Sequence, residues 1–224
     1  MTAERLTSFI FDLDGTLIDS LPGIEFSVDA AFAACHLPKR QSDLRSLIGP
    51  PIRSILAHAG NVSDEKLLAD LELAFRRSYD DEGWKLSTCY PGVTSVLQQM
   101  FEAGHRLFVV TNKPRHISIR NLDCFGLLPL FTDVITRDSR IPAFPNKGEI
   151  VRFLLSSHHL DPAKSLMVGD TIEDASAAAA NHVRFAHVTH GYGKIAKNSP
   201  LPVYLSSDDF QQLSQQLSLE FAHD

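Results

Sequence analysis

Two carboxylates lie one residue apart near the start of the chain, where an apolar segment ends in Asp12 and Asp14 and Gly15 follows. An apolar run that ends in acids is typical of a buried parallel strand whose carboxyl end opens into a ligand crevice. Asp12 can there attack phosphorus as a nucleophile, while Asp14 can protonate the leaving oxygen and later activate water. The spacing indicates phosphoryl transfer, although a strand followed by an ordinary Asp-Gly turn also accounts for this segment alone.

Polar groups recur at the ends of two further apolar segments. One segment ends in Thr111 and Asn112, and another leads into Asp170 and Asp174. Lys147 lies between them, at a predicted loop-to-helix start. Because right-handed crossovers bring the carboxyl ends of parallel strands to one edge of a sheet, we expect the acids, the hydroxyl and the lysine to meet in one site.

Residues 19–87 carry helical patterns only. Apolar residues recur at three- and four-residue spacing after the potential capping residue Ser20, and again between residues 52 and 79. No strand pattern occurs between Asp19 and Trp84. We interpret residues 19–87 as an all-helical cap domain inserted between the first two motifs, with extra core helices as the alternative.

The remaining residues, 1–18 and 88–224, alternate between strand and helix patterns. Strands are predicted at the first motif and at residues 107–111, 133–136, 166–168, 183–188 and, at an edge, 203–205. Such alternation is typical of a parallel sheet covered by helices. We therefore predict an α/β catalytic core with a three-layer, doubly wound, Rossmann-like sheet.

Composition excludes several classes of protein. The chain has 224 residues, 44% of them hydrophobic, and a net charge of −6. Such a charge gives no general attraction to nucleic acid or to an anionic membrane. No apolar run approaches the roughly 20 residues that span a bilayer, and the first five residues show no signal-peptide pattern. We expect a cytoplasmic protein, monomeric or homodimeric, with a small-molecule partner and neither nucleic acid nor membrane as partners.

The three cysteines, Cys35, Cys89 and Cys124, are odd in number and far apart, and no C-x-x-C pair suggests a zinc or redox site. We interpret them as small apolar residues in the core.

In its motifs the chain resembles the haloacid dehalogenase superfamily, which carries D-x-D-G-T, a strand-ending Ser or Thr, a Lys and G-D-x-x-x-D in this order. The match spans nearly the whole chain. Asp19-Ser20 and the Gly49-Pro50-Pro51 element make it most similar to phosphatases of the phosphoglycolate phosphatase type, although the second element also occurs in relatives described as 5′-nucleotidases. Two departures are visible: Gly148 follows the lysine where Pro is usual, and Asn181 stands where Gly is usual.

The resemblance implies a Mg²⁺ ion as the cofactor. Its ligands would be the Asp12 carboxylate, the Asp14 backbone carbonyl and Asp170, with Asp174 completing the shell directly or through water. A cation suits the reaction, because a carboxylate that attacks a phosphate meets like charge, and each unit pair at about 4 Å costs on the order of 4 kcal/mol at an effective dielectric near 20. Mg²⁺ prefers oxygen ligands of this kind.

The resemblance also assigns contacts to the substrate. Lys147 would contact the nucleophile and the phosphoryl oxygens, and Thr111, with backbone donors near Asn112, would bind the transferring group. Gly49 and Arg53 are weaker candidates for contact with the leaving group, since a proline-flanked turn also serves simply to end a helix.

Asp14 separates the reaction classes of the superfamily. Dehalogenases release a halide that needs no proton, and ion-pumping ATPases carry Thr at this position. An acid here favours rapid hydrolysis by activated water. We therefore predict a Mg²⁺-dependent phosphomonoester hydrolase that passes through a phosphorylated Asp12. Phosphoglycolate is the first substrate to expect, a nucleoside monophosphate the second and a phosphomutase reaction the third; a non-catalytic binding protein is the remaining alternative.

Overall fold

The computed structural model describes residues 6–196 and 198–221, with side chains up to residue 217. The first five residues, where no signal-peptide pattern is expected, lie outside the described residues. The chain divides into two compact units. One consists of Met1–Ile18 and Cys89–Asp224, and the other is Asp19–Thr88.

The first unit is built on a parallel sheet of six strands. The strands of the protein are β1 (Ser8–Phe11), β2 (Ile18–Asp19), β3 (Thr88–Cys89), β4 (Arg106–Thr111), β5 (Asp133–Thr136), β6 (Ser165–Gly169), β7 (Arg184–Val188) and β8 (Leu205–Ser207). The large sheet has the order β5-β4-β1-β6-β7-β8, and β2 and β3 form a separate two-stranded sheet. Counted along the chain, the six strands follow the doubly wound order 3-2-1-4-5-6.

Helices cover both faces of this sheet. The helices of the protein are α1 (Leu21–Ala34), α2 (Ile52–Gly60), α3 (Glu65–Asp81), α4 (Val93–Glu102), α5 (Arg115–Cys124), α6 (Lys147–Ser157), α7 (Ile172–Ala180) and α8 (Phe210–Phe221). Phe9 and Phe11 pack into a cluster with side chains of α4, α5 and α8, whereas Ile10 packs into another with α6 and α7. The alternation follows from the two-residue period of a strand. The predicted three-layer α/β fold is confirmed.

Strand β1 lies in the middle of the sheet and is fully buried. Its three apolar side chains, Phe9, Ile10 and Phe11, have no exposed surface. Burial of each contributes on the order of 1.5–3 kcal/mol. The register places Phe11 opposite Val109 of β4 and Val168 of β6, so the residues that follow these strands lie side by side.

The second unit is helical. Helices α1 and α3 pack against each other, and α3 buries Leu68, Leu71 and Phe75 at three- and four-residue spacing. The Asp64 side chain caps α3 by accepting a hydrogen bond of 2.7 Å from the Leu67 N–H. A Cβ at Gly23 of α1 would lie 2.1 Å from the Gly83 carbonyl oxygen, so this helix needs a glycine at the contact.

Two sequence-based expectations are wrong. The edge strand expected at residues 203–205 is β8, which begins at Leu205 because pairing with β7 starts there, opposite Ala186. Val203 and Tyr204 remain 38% and 39% exposed. The cysteines are not core residues either: Cys35 and Cys89 are half-buried, and Cys124, at the end of α5, is exposed.

Among the described residues, none of the helices combines the length and the apolar character that a membrane span requires.

Candidate active site

The carboxyl ends of the central strands carry the polar residues singled out in the sequence. Asp12 follows β1, Thr111 ends β4, and Asp170 follows β6. The chain runs from β1 outward through β4 on one side and returns to β6 on the other, so β1 and β6 flank the point where the strand order reverses. Ligands of doubly wound sheets bind at such a point.

Lys147 is the first residue of α6 and joins two acids. Its ammonium nitrogen Nζ lies 2.9 Å from Asp12 Oδ1 and 2.7 Å from Asp174 Oδ1, and only 1% of the residue is exposed. The Asn146 side chain caps the helix by accepting a hydrogen bond of 3.0 Å from the Glu149 N–H. The cap fixes where α6 begins, and hence the position of the Lys147 backbone at the first residue of the helix.

Asp174 is held by the start of α7. Its Oδ2 accepts hydrogen bonds from the Thr171 hydroxyl at 2.6 Å and from the Thr171 N–H at 2.9 Å. The Thr171 hydroxyl in turn accepts from the Asp174 N–H, which completes a capping box. This arrangement directs the other carboxylate oxygen to Lys147.

Asp170 accepts hydrogen bonds from three donors, of which two are backbone groups that the sequence did not point to. Its Oδ2 accepts hydrogen bonds from the backbone N–H groups of Tyr192 at 2.7 Å and Gly193 at 3.1 Å. Its Oδ1 accepts one from the Thr16 hydroxyl at 3.2 Å. Gly15, with φ of 87°, passes so close that a Cβ would lie 2.5 Å from Asp170 Oδ2. Both the positive φ and the close approach to Asp170 therefore favour glycine at this position.

Three of these acids could hold a metal ion. Asp12, Asp170 and Asp174 are buried, and each offers a carboxylate oxygen within 4.8 Å of the others. Asp12 Oδ1 is buried and forms an ion pair of 2.9 Å with the Lys147 ammonium. Three buried carboxylates facing one ammonium leave an excess of negative charge, so the residues fit a divalent cation with oxygen ligands.

The titration of these groups reflects their crowding. Burial raises the pKa of Asp12 well above its ordinary range, a rise that Lys147 opposes and the two other acids reinforce. Burial and then the charge of Asp174 raise the pKa of Asp170 to about 6. Burial alone would lower the pKa of Lys147, yet the carboxylates of Asp12 and Asp174 raise it well above its usual value. The lysine is therefore charged at neutral pH.

Asp14 has a partner that sequence reasoning missed. Its Oδ1 lies 2.7 Å from Nζ of Lys113, whose side chain is 5% exposed. The Lys113 backbone N–H donates a hydrogen bond of 3.2 Å to the Thr111 hydroxyl oxygen. The position of this lysine two residues after a predicted strand was a usable signal, because functional groups of open α/β sheets gather there.

The Asn112 side chain binds Glu173, a second partner that sequence reasoning missed. Its Nδ2 lies 3.1 Å and 3.0 Å from the two carboxylate oxygens of Glu173 in the first turn of α7. The amide thus ties the end of β4 to the start of α7. A substrate contact of Asn112 through its side chain would compete with Glu173.

The two remaining candidates, Gly49 and Arg53, belong to the second unit. Gly49 lies three residues before α2, and Arg53 is the second residue of this helix. Gly49 has φ of 129°, a conformation that favours glycine. Arg53 forms ion pairs with Glu65 and Glu72 of α3. An anion that binds Arg53 would have to compete with these two glutamates.

Comparison with known proteins identifies the family. The sequence profile of the haloacid dehalogenase-like hydrolases matches residues 9–188. The chain belongs to this family. It is 33% identical to the phosphoglycolate phosphatase of Vibrio vulnificus over 219 residues, which cover 94% of this chain and 93% of the relative.

Solved structures agree with this family. A predicted phosphatase from Clostridium acetobutylicum has a TM-score of 0.85 at 23% identity, with 96% of this chain and 100% of that chain covered. A predicted phosphoglycolate phosphatase from Haemophilus somnus has a TM-score of 0.81 at 26% identity, with 94% and 97% covered. The resemblance inferred from the motifs is confirmed, and this haloacid dehalogenase-like hydrolase is a phosphatase.

Proposed function

We propose that this hydrolase cleaves small phosphomonoesters through a phosphorylated Asp12. The observation that carries the proposal is the buried Asp12 carboxylate, whose Oδ1 lies 2.9 Å from the Lys147 ammonium and which shares a cluster with Asp170 and Asp174. An ionised carboxylate has the unshared electron pair that a nucleophile needs, and the ammonium provides positive charge where a phosphoryl group would arrive.

Mg²⁺ is the proposed cofactor. Asp12, Asp170 and the backbone carbonyl of Asp14 would hold it, with Asp174 closing the shell directly or through water. When bound, the ion supplies positive charge that offsets the repulsion between phosphate and carboxylate oxygens.

In the first half of the reaction, the Asp12 carboxylate attacks phosphorus, and the bond from phosphorus to the ester oxygen breaks. Asp14 gives that oxygen a proton, so the leaving group departs as an alcohol. Lys147 and the Thr111 hydroxyl stabilise the charge on the transferring group.

In the second half, Asp14 takes a proton from a water molecule that attacks the same phosphorus. The bond between phosphorus and Asp12 breaks, orthophosphate leaves, and the Asp12 carboxylate is restored. Both halves need a carboxyl group at position 14, which supports hydrolysis over halide displacement.

Phosphoglycolate is the first substrate that we propose. The relative from Vibrio vulnificus, which is 33% identical over nearly the full length of both chains, is named a phosphoglycolate phosphatase. A nucleoside monophosphate is the second candidate and a phosphomutase reaction the third. We also propose that residues 19–87 act as a cap that excludes bulk water, with Gly49 and Arg53 near the leaving group.

A screen of phosphorylated metabolites tests the proposal. The purified protein is incubated with Mg²⁺ and each metabolite, and released phosphate is measured, with Asp12→Asn as the control. We expect phosphoglycolate to be hydrolysed and the variant to be inactive. Release of phosphate by the variant at the wild-type rate would rule out Asp12 as the nucleophile, and transfer of phosphate between positions of a sugar without its release would favour a mutase.

A further inference from the structure

Two lysines lie at the carboxyl edge of the sheet, and they serve different acids. Lys147 is paired with the proposed nucleophile Asp12 and with Asp174, whereas Lys113 is paired with Asp14. The phosphoryl group would lie beside the first pair. The leaving oxygen would lie beside Asp14, since Asp14 has to protonate it.

We propose that Lys113 is a specificity residue, which binds a carboxylate carried by the leaving group of the substrate. The inference rests on the proposed function and names the substrate class as phosphomonoesters whose alcohol bears an anionic group close to the ester oxygen.

The geometry places the Lys113 charge beside Asp14, where the leaving group would lie. Its Nζ lies 2.7 Å from Asp14 Oδ1, so a small leaving group that is hydrogen-bonded to Asp14 has this ammonium as a near neighbour. Lys147 is paired with Asp12 and Asp174, and the proposed mechanism assigns its charge to the phosphoryl group rather than to the leaving group. Among the described residues, Lys113 is the lysine that pairs with the proposed acid.

The Lys113 side chain is also positioned before any ligand arrives. Its backbone N–H is bound to the Thr111 hydroxyl oxygen at 3.2 Å, and the side chain is 5% exposed. A buried, fixed ammonium loses little conformational freedom on binding. Because an ammonium is a compact charge with three donors, it can hold Asp14 and a substrate carboxylate together.

The experiment compares two substrates of similar size. Phosphoglycolate carries a carboxylate next to the ester carbon, and 2-hydroxyethyl phosphate carries a neutral hydroxymethyl group there. For the wild type, Lys113→Met and Lys113→Arg, the ratio of kcat/KM for the two substrates is measured with Mg²⁺. Lys164→Met, a change just before the first residue of β6 and therefore away from the carboxyl ends of the strands, is the matched control.

We expect the wild type to prefer phosphoglycolate, and Lys113→Met to lower the ratio by about tenfold or more, mainly through KM. Lys113→Arg keeps the charge and should retain most of the preference, and Lys164→Met should retain all of it. A wild type that does not distinguish the two substrates overturns the inference. So does a Lys113→Met variant that loses the same factor on both substrates, since Lys113 then acts only by orienting Asp14.

A binding measurement covers the case in which the variant loses all turnover. Calorimetry of phosphoglycolate with Asp12→Asn should give a dissociation constant about tenfold lower than with Asp12→Asn/Lys113→Met. Equal constants overturn the inference. Hydrolysis of 4-nitrophenyl phosphate by the wild type separates the two proposals: its absence counts against the phosphatase mechanism, and its presence with an unchanged substrate ratio counts against the role of Lys113 alone.

Discussion

A single ammonium group, that of Lys147, neutralises part of the charge of two buried acids. Removal of one partner of a buried ion pair leaves an uncompensated charge, which costs about 3–5 kcal/mol. The lysine therefore links the stability of the site to its chemistry. Both can be measured on the same variant.

Lys147→Met should lower kcat by roughly 10² to 10³, because a positive charge that stabilises the transferring group is lost. Thermal unfolding should occur at a lower temperature, since Asp12 and Asp174 then face each other without a cation. Lys164→Met serves as the control for loss of one lysine. A variant with wild-type kcat would show that the contact at 2.9 Å to Asp12 has no catalytic role.

Asp12→Asn should lower phosphate release by roughly 10⁴ or more, since the amide cannot act as a nucleophile. The variant has nearly the same shape and should keep its circular dichroism spectrum. Mass spectrometry of the wild type, quenched in acid during turnover, should find the phosphoryl group on Asp12. An acyl phosphate on another carboxylate would reassign the nucleophile.

Some of these residue contacts could be predicted from the sequence and others could not. Asp12, Lys147 and Asp170 stand out because charged residues at the ends of apolar segments are chemically conspicuous. The donors to Asp170 from Tyr192 and Gly193 are backbone N–H groups, which nearly every residue possesses. Their use depends on a loop path that only the folded chain defines.

At the scale of elements, the start of α6 is held from the end of α7. The Asn181 Nδ2 donates hydrogen bonds to the Gly148 carbonyl oxygen at 2.9 Å and to the Ala177 carbonyl oxygen at 2.8 Å. The two departures from the family pattern thus contact each other. Glycine is a flexible residue in a first helical turn, and the asparagine restrains it next to Lys147.

Asn181→Ala should therefore lower kcat more than it raises KM, because the first turn of α6 carries Lys147. Loss of both hydrogen bonds should reduce the free energy of unfolding by about 1–3 kcal/mol. The exposed Gln98→Ala on α4 is a suitable control. An unchanged kcat together with a lowered melting temperature would assign Asn181 a purely structural role.

Apolar periodicity predicted most elements, since buried faces of helices and strands repeat at fixed intervals. It failed at β8, where an edge strand of three residues carries too few apolar residues to fix its register. The tie between Asn181 and Gly148 joins residues 33 positions apart, and no local pattern encodes such a contact.

At the scale of the whole molecule, the acidic site opposes folding unless a cation is present. The pKa of Asp170 rises from 3.8 to about 6 on folding, and that of Asp12 also rises, so the folded state binds protons more readily than the unfolded chain. By linkage, this contribution makes the metal-free protein more stable as pH falls from about 6 towards 4, and less stable above pH 6.

Mg²⁺ should accordingly raise the melting temperature at pH 7.5 and have little effect at pH 5, where protons compete for the same oxygens. An ion at 100 times its dissociation constant adds about 2.7 kcal/mol, and each kcal/mol corresponds to roughly 2–4 °C in a chain of this length. Asp170→Asn should abolish the response. An equal rise at both pH values, or an undiminished rise in this variant, would place the metal elsewhere.

Strand β1 pairs with β4 on one side and with β6 on the other, and β6 begins at Ser165. A ribosome therefore has to reach Ser165, far along the chain from Ser8, before the second edge of Ser8–Phe11 can be covered. Until then this hydrophobic strand offers unpaired backbone groups, which attract strands of other chains. The order of synthesis thus leaves this strand edge open to aggregation until β6 has been made, and we expect the yield of the protein in cells to depend on chaperones that bind extended apolar segments.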